Sequence, residues 1–91
     1  MVIARLLTIS GQVQGVGYRF FAQRSAARHQ VCGYIRNLKD GRVEAHVEGP
    51  PSAVEAFKME LAAGPRHSRV EQVEELVVDV TSLYSNFRIE R

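Results

Sequence analysis

Apolar and polar residues alternate most regularly between residues 42 and 48, in the segment Arg-Val-Glu-Ala-His-Val-Glu. Because successive side chains of a strand point to opposite faces, this pattern predicts a strand with one face on a core and the other in water. Asp40-Gly41 is a tight-turn pair directly before it. Residues 31–39, which precede the turn, are predicted to form the partner strand of a hairpin.

Two segments carry the three- and four-residue spacing that is typical of helices. Residues 18–29 contain neither Gly nor Pro, and one side of the predicted helix carries its less polar residues, namely Tyr18, Phe21, Ala22, Ser25, Ala26 and His29. The second helix is predicted to begin near Pro51, with Ser52 and Glu55 at the spacing of a capping box. Val54, Phe57 and Leu61 line one face of it, and Gly64-Pro65 ends it after residue 63.

Residues 2–10 and 70–80 read as further strands, and residues 87–89 as a short additional one. The resulting order, β-α-β-β-α-β, predicts an α+β fold of the ferredoxin-like sandwich type. We expect an antiparallel sheet of four to five strands, with both helices on one face and the other face largely in solvent. Such a fold hosts many activities, so it names none by itself.

Composition narrows the class of protein. A chain of 91 residues with 45% hydrophobic and 24% charged residues predicts one globular domain over residues 1–91. The single cysteine, Cys32, excludes an internal disulfide and a Cys-based zinc site. No apolar run approaches the ~18 residues of a membrane helix, and no signal peptide is visible, so we expect a cytoplasmic protein that does not bind membranes. The net charge of +2 is far from the strongly basic balance of a nucleic-acid binder.

The segment 11–19, Gly-Gln-Val-Gln-Gly-Val-Gly-Tyr-Arg, connects the first strand to the first helix. Residues 11–17 are predicted to form a loop whose glycines allow a curled backbone with inward N–H groups, which is a nest for an anion. The N-terminus of the helix and the guanidinium of Arg19 would add positive charge at the same place. A glycine-rich loop of this kind is also often no more than a turn. The segment lacks the Walker and dinucleotide-binding patterns.

Asn37 stands near the end of the second strand, where Asn is an uncommon residue. Two interpretations remain open from the residues alone. Its amide either shapes the hairpin at Asp40-Gly41 or holds a water or a substrate oxygen. The first and second strands flank the first helix, so Asn37 and Arg19 are expected to be close in space.

Residues 11–19 resemble the first signature of the acylphosphatase family, and Gly33-Tyr34-Ile35-Arg36-Asn37, with Gly41, Val43 and Gly49, resembles the second. The resemblance extends over nearly the whole chain. It implies hydrolysis of a small-molecule acyl phosphate, a carboxyl-phosphate mixed anhydride, to a carboxylate and inorganic phosphate. It also implies the site residues. The backbone amides that hold the phosphoryl oxygens would be those of Gln14, Gly15, Val16, Gly17, Tyr18 and Arg19. The Arg19 side chain would join them, and Asn37 would orient the attacking water.

The chain departs from the family pattern at Ile35, where a smaller residue is expected, and at Gly17, where many members carry a large side chain. The first departure predicts a small adjustment in packing beside the site. The second predicts a more flexible loop and lower activity. The implied chemistry needs no metal and no cofactor, because a carboxylate leaving group with a pKa of ~4 requires little protonation. Phosphate or sulfate is expected to bind in the loop, and the chain is expected to be a monomer.

Two rival functions are weighed against this one. The first is a module of the same fold that binds a phosphorylated ligand without turnover. The second is an RNA-binding domain, which is disfavoured because strand 42–48 has no aromatic residue and presents Glu44 and Glu48 on its outer face. The three histidines lack metal-ligand spacing and are interpreted as solvated or packing residues. The other chemically suggestive side chains are interpreted as packing or surface residues, namely Cys32, Tyr34, Arg36, Glu71, Glu74 and Glu75.

Overall fold

The computed structural model describes all 91 residues. In chain order, its elements are β1 (Ile3–Gln12), α1 (Tyr18–His29), β2 (Cys32–Asn37), β3 (Val43–Gly49), α2 (Pro51–Ala63), β4 (Arg69–Val78) and β5 (Phe87–Glu90). The predicted β-α-β-β-α-β order is confirmed, and the short fifth strand is present. Neither helix is of the length and apolar character that crossing a bilayer requires.

The five strands form one sheet in the order β4-β1-β3-β2-β5. The neighbours β4–β1, β1–β3 and β3–β2 are antiparallel, but β5 runs parallel to β2, with Ile35 opposite Ile89. The expectation of a purely antiparallel sheet is therefore wrong at this edge. The reason is that residues 79–86 carry the chain from β4 at one edge to β5 at the other, where it enters alongside β2 in the same direction.

The helices cover one face of the sheet, as predicted, and the hydrophobic core lies between them and the strands. Strand β3 contributes Val43, Ala45 and Val47, which are fully buried. The predicted face of α2 is confirmed, because its buried residues are Val54, Phe57 and Leu61. Helix α1 buries most of its predicted stripe, namely Tyr18, Ala22, Ser25 and Ala26.

The opposite face of the sheet differs from the prediction. His46 is only 8% exposed and Glu48 only 2%, although the alternating pattern placed both in water. The carboxylate of Glu48 accepts hydrogen bonds from the backbone N–H groups of Thr81 and Ser82 and from the Thr81 hydroxyl. Residues 79–86 thus fold over this part of the face and bury His46 and Glu48. The prediction of a solvated face is wrong here, since the pattern of one strand does not show which segment crosses it.

The start of α2 and the end of β1 also differ from the prediction. The predicted capping box at Ser52 and Glu55 is wrong, because α2 begins at Pro51 with Pro50 as its N-cap and no side-chain cap. Strand β1 continues through Gly11 and Gln12, so the loop covers residues 13–17 rather than 11–17. A bulge between Ser10 and Gly11 interrupts the pairing with β4. Gly11 has a φ of 129°, and a Cβ there would lie 2.0 Å from the Arg69 carbonyl oxygen.

Candidate active site

The two motifs meet at one end of the sheet, where β1 and β2 finish. Strands β1 and β2 are both antiparallel to β3, which lies between them, so they run in the same direction and finish at the same end of the sheet. The loop 13–17 leaves β1 at this end and leads into α1, while Asn37 is the last residue of β2. Asn37 shares a face with the core residue Ile35, because side chains of a strand alternate, and that face is the one on which the helices pack.

The backbone of the loop is curled at its glycines. Gly15 and Gly17 have φ values of 74° and 76°, in the left-handed region that side chains with a Cβ disfavour. Gly17 is also the N-cap of α1. Of the nine backbone hydrogen bonds formed outside the helices and strands, none is donated by residues 14–20. These consecutive N–H groups, together with the positive end of α1, are therefore free to bind an anion.

Gln14 connects the loop to the β2–β3 hairpin. Its side-chain Nε2 donates hydrogen bonds to the carbonyl oxygens of Leu38 and Arg42, each at 2.9 Å. This contact fixes the distance between the glycine loop and the end of β2. The sequence reasoning missed it, because a glutamine within a glycine-rich loop carries no signal that names its partner 24 residues away.

The loop, α1 and β2 enclose a small cleft of about 100 Å³, which we call the loop cleft. Its lining residues are Val13, Gly15, Gly17, Tyr18, Arg19, Phe20 and Asn37. The structure thus brings Arg19 and Asn37 together, as expected from the sequence. Of the other predicted residues, Gln14 and Val16 do not line the cleft. Val16 packs against the core instead.

Asn37 carries an unusual polar atom. Its Oδ1 is the one buried side-chain nitrogen or oxygen of the chain that has no hydrogen-bond partner. Buried polar atoms are nearly always paired, so an unpaired acceptor in a cleft favours contact with a ligand or water. The hairpin does not depend on this side chain. Its turn is held by backbone hydrogen bonds from the Leu38 N–H to Arg42 and from the Gly41 N–H to Leu38, and by the carboxylate of Asp40, which accepts from Arg42.

Arg19 lies at the N-terminal end of α1, is half-buried and lines the loop cleft. It forms no ion pair, whereas Arg5, Arg28, Arg36, Arg42, Lys58 and Arg88 each pair with a carboxylate. No acidic residue occupies the first turn of α1. The cleft therefore combines free N–H donors with an uncompensated guanidinium, an arrangement that attracts an oxyanion.

Tyr18 lines the loop cleft, but its side chain is directed into the core. Its side chain is 1% exposed, and its hydroxyl donates a 2.6 Å hydrogen bond to the carbonyl oxygen of Leu61 in α2. Burial raises the pKa of this hydroxyl well above its usual value. The Tyr18 side chain therefore packs in the core, where the predicted stripe of α1 places it, and only its backbone N–H is available to the cleft.

The remaining candidates lie elsewhere. Arg36 pairs with Glu44 at 3.0 Å, outside the loop cleft, and Tyr34 stacks on His46 on the far face of the sheet. Burial, with a smaller contribution from the charge of Glu48, raises the pKa of the Cys32 thiol. Nowhere in the chain do three His, Cys, Asp or Glu side chains lie close enough together to hold a metal ion.

Comparison with known proteins agrees with this geometry. The family model for acylphosphatase matches residues 6–89, so the chain belongs to the acylphosphatase family. An acylphosphatase of Solibacter usitatus is 50% identical over 86 residues, which cover 94% of this chain and 88% of the relative.

Solved structures give the same result. The acylphosphatase of Bacillus subtilis superposes with a TM-score of 0.94 at 31% identity, over the full length of both chains. Full-length HypF in a phosphate- and nucleotide-bound form matches with a TM-score of 0.89 at 29% identity, over all of this chain and 12% of that one. The fold thus occurs both alone and as a small part of a larger protein.

Proposed function

We propose that this protein hydrolyses acyl phosphates in the loop cleft, with Arg19 and Asn37 as its catalytic residues. One observation carries the proposal. The unpaired Oδ1 of Asn37 shares a small cleft with an unpaired guanidinium and a loop whose N–H groups are free. The first is an acceptor suited to a water molecule, and the others are donors suited to a phosphoryl group.

In this mechanism, the amides of Gly15, Gly17, Tyr18 and Arg19, which line the cleft, bind the phosphoryl oxygens together with the guanidinium of Arg19. The free amides of Gln14 and Val16, in the same loop, complete the proposed set. They stabilise the negative charge that these oxygens carry in the transition state. Asn37 accepts a hydrogen bond from a water molecule and directs its oxygen at phosphorus. The new P–O bond forms as the P–O bond to the acyl group breaks. The electron pair leaves with the carboxylate, and the proton of the water passes to phosphate or to solvent.

The chemistry needs positioning and charge more than acid–base catalysis. A carboxylate leaves readily, and neither Arg nor Asn side chains titrate near neutral pH. We therefore propose a reaction that requires neither metal nor cofactor, with rates that change little between about pH 6 and 8. Arg19 and Asn37 both belong to one chain, whose buried hydrophobic residues form a single core cluster of 15, which supports a monomeric unit spanning residues 1–91. The cytoplasmic location remains a prediction.

The test is hydrolysis of benzoyl phosphate in the presence of a chelator. We expect turnover by the unmodified protein and a loss of at least ~100-fold in kcat in Arg19→Ala, by analogy with removal of one oxyanion donor. Arg24→Ala is the matched control, because Arg24 is an exposed arginine of the same helix that does not line the cleft. Activity that vanished with the chelator and returned with a divalent metal would contradict the metal-independent mechanism. Near-full turnover in both Arg19→Ala and Asn37→Ala would contradict the site.

A phosphate-binding module without turnover is the second candidate, because the same fold also forms a 12% segment of HypF, which was solved in a phosphate- and nucleotide-bound form. Both candidates predict that inorganic phosphate binds in the loop and that Arg19→Ala weakens this binding. They differ in product formation, so titration with phosphate and the hydrolysis assay on the same preparation distinguish them. Binding without any release of benzoate would favour the module.

A further inference from the structure

The loop cleft is small, about 100 Å³, and a second cleft lies beside it. The second cleft is open, has a volume of about 470 Å³, and is lined by Arg19, Phe20, Ile89 and Arg91. Two of these residues, Arg19 and Phe20, also line the loop cleft. The two clefts therefore adjoin at these residues, at the start of α1.

Phe20 is the most unusual residue of the second cleft. Its side chain is 62% exposed, although its neighbours Tyr18 and Phe21 both pack against the core. Tyr18 and Phe21 form an aromatic pair with each other, while Phe20 has no aromatic partner. Ile89, on the edge strand β5, adds a partly buried apolar surface to the same cleft. The Phe20 ring is thus exposed beside Ile89 and takes no part in the packing of the core.

The position of Asn37 determines which part of the substrate can reach the second cleft. Asn37 lines the loop cleft but not the second cleft. Attacking and leaving oxygens lie roughly in line across phosphorus, so a leaving group departs on the side away from the attacking water. If Asn37 holds the water, the acyl oxygen points away from Asn37. The adjoining second cleft is where the rest of that group can lie.

We propose that the second cleft binds the acyl group of the substrate and that Phe20 gives the enzyme a preference for flat, apolar acyl groups over small ones. This inference rests on the proposed function of the loop cleft. The lining contains two arginines and no acidic residue. The carboxylate that forms on hydrolysis is therefore not repelled from the cleft.

The experiment compares kcat/KM for benzoyl phosphate with kcat/KM for acetyl phosphate, whose methyl group covers little of the Phe20 ring. In Phe20→Ala, we expect the benzoyl-to-acetyl ratio to fall about fivefold, mainly through KM, as the loss of one aromatic contact predicts. Phe20→Leu should retain part of the preference. Met59→Ala is the control, because Met59 is 65% exposed, lies on α2 and lines neither cleft.

Inhibition by inorganic phosphate is measured in each variant as a second readout. A ratio that stays at the wild-type value in Phe20→Ala, while both substrates are hydrolysed, overturns the acyl-group site and leaves the proposed function intact. A fall in phosphate affinity as large as the fall in the ratio also overturns it, since the loop cleft would then be the part disturbed. Failure of the unmodified protein to hydrolyse either substrate would remove the proposed function itself.

Discussion

The loop cleft and a second polar region on the opposite face of the sheet differ in whether their polar groups are hydrogen-bonded within the chain. In the loop cleft, the N–H groups of the loop, the Arg19 guanidinium and the Asn37 Oδ1 have no partner within the chain. In the outer cluster, formed by His46, Glu48, Thr81 and Ser82, the buried carboxylate accepts several hydrogen bonds. Paired polar groups stabilise a fold, whereas unpaired ones reduce its stability and are available to a ligand.

The outer cluster shows the energetic effect of that pairing. Burial alone would raise the pKa of the Glu48 carboxyl, but hydrogen bonds from His46, Thr81 and Ser82 outweigh it and lower the pKa to about 2. The charged form is therefore strongly favoured in the folded protein. Residues 79–86, which cross the sheet and lead into β5, are held at this carboxylate. Changes in the outer cluster are therefore expected to affect stability, and changes in the loop cleft to affect turnover.

The largest expected effect is on stability, in Glu48→Ala. This change leaves His46 without its buried partner and releases the segment at Thr81, so we expect a loss of about 3 kcal/mol in the free energy of unfolding. Urea denaturation followed by circular dichroism measures it. Glu90→Ala is the control, because Glu90 forms a surface ion pair with Arg88 at 3.0 Å, and such a pair contributes no more than about 1 kcal/mol. Equal losses in the two variants would contradict a special role of the outer cluster in stability.

The next effect is on turnover, in Asn37→Ala. We expect kcat for benzoyl phosphate to fall at least ~100-fold, because the water would lose its orienting acceptor. The free energy of unfolding should stay within about 0.5 kcal/mol of the wild-type value or rise, since a buried oxygen without a partner is removed. Denaturation and kinetics on the same preparation check both. A stability loss comparable to that of Glu48→Ala would show that Asn37 serves the hairpin instead.

The pH dependence of stability separates the two regions further. The pKa of Glu48 is lower in the folded chain than its ordinary value of 4.5. Its contribution to stability is therefore present above about pH 5 and is lost as the pH falls toward 2. In Glu48→Gln, the urea midpoint should fall less steeply between pH 5 and 3 than in the unmodified protein. An unchanged slope would show that other carboxylates control acid unfolding. Glu60 is the main alternative, because hydrogen bonds from Ser25 and His29 lower its pKa to about 2.

The smallest effect is expected in Gln14→Ala. The side chain does not line the loop cleft but holds the glycine loop against the hairpin through Leu38 and Arg42. Loss of this contact should weaken inhibition by inorganic phosphate by about three- to tenfold, which corresponds to roughly 1 kcal/mol for a part-buried hydrogen-bonded group. The fall in kcat should remain smaller than that in Asn37→Ala. A phosphate affinity equal to that of the unmodified protein would mean that the loop keeps its shape without this tether.

Much of this molecule is determined by local sequence. The bounds of α1 and the buried face of α2 follow from residue spacing within a few turns, and they are as predicted. The order of the elements and the two motifs, which carry Arg19 and Asn37, are also visible in the sequence. These features depend on neighbours a few residues apart, for which periodicity and glycine placement are sufficient signals.

Only the tertiary structure decided the contacts between distant segments. Glu48 and Thr81 are 33 residues apart, and the alternation within β3 could not reveal that residues 79–86 bury this carboxylate and bring β5 in parallel to β2. The tether from Gln14 and the unpaired oxygen of Asn37 likewise depend on which groups meet after folding. Pairing of a polar group is a property of its surroundings in space, so the sequence determines the candidates and the fold determines which of them remain free for chemistry.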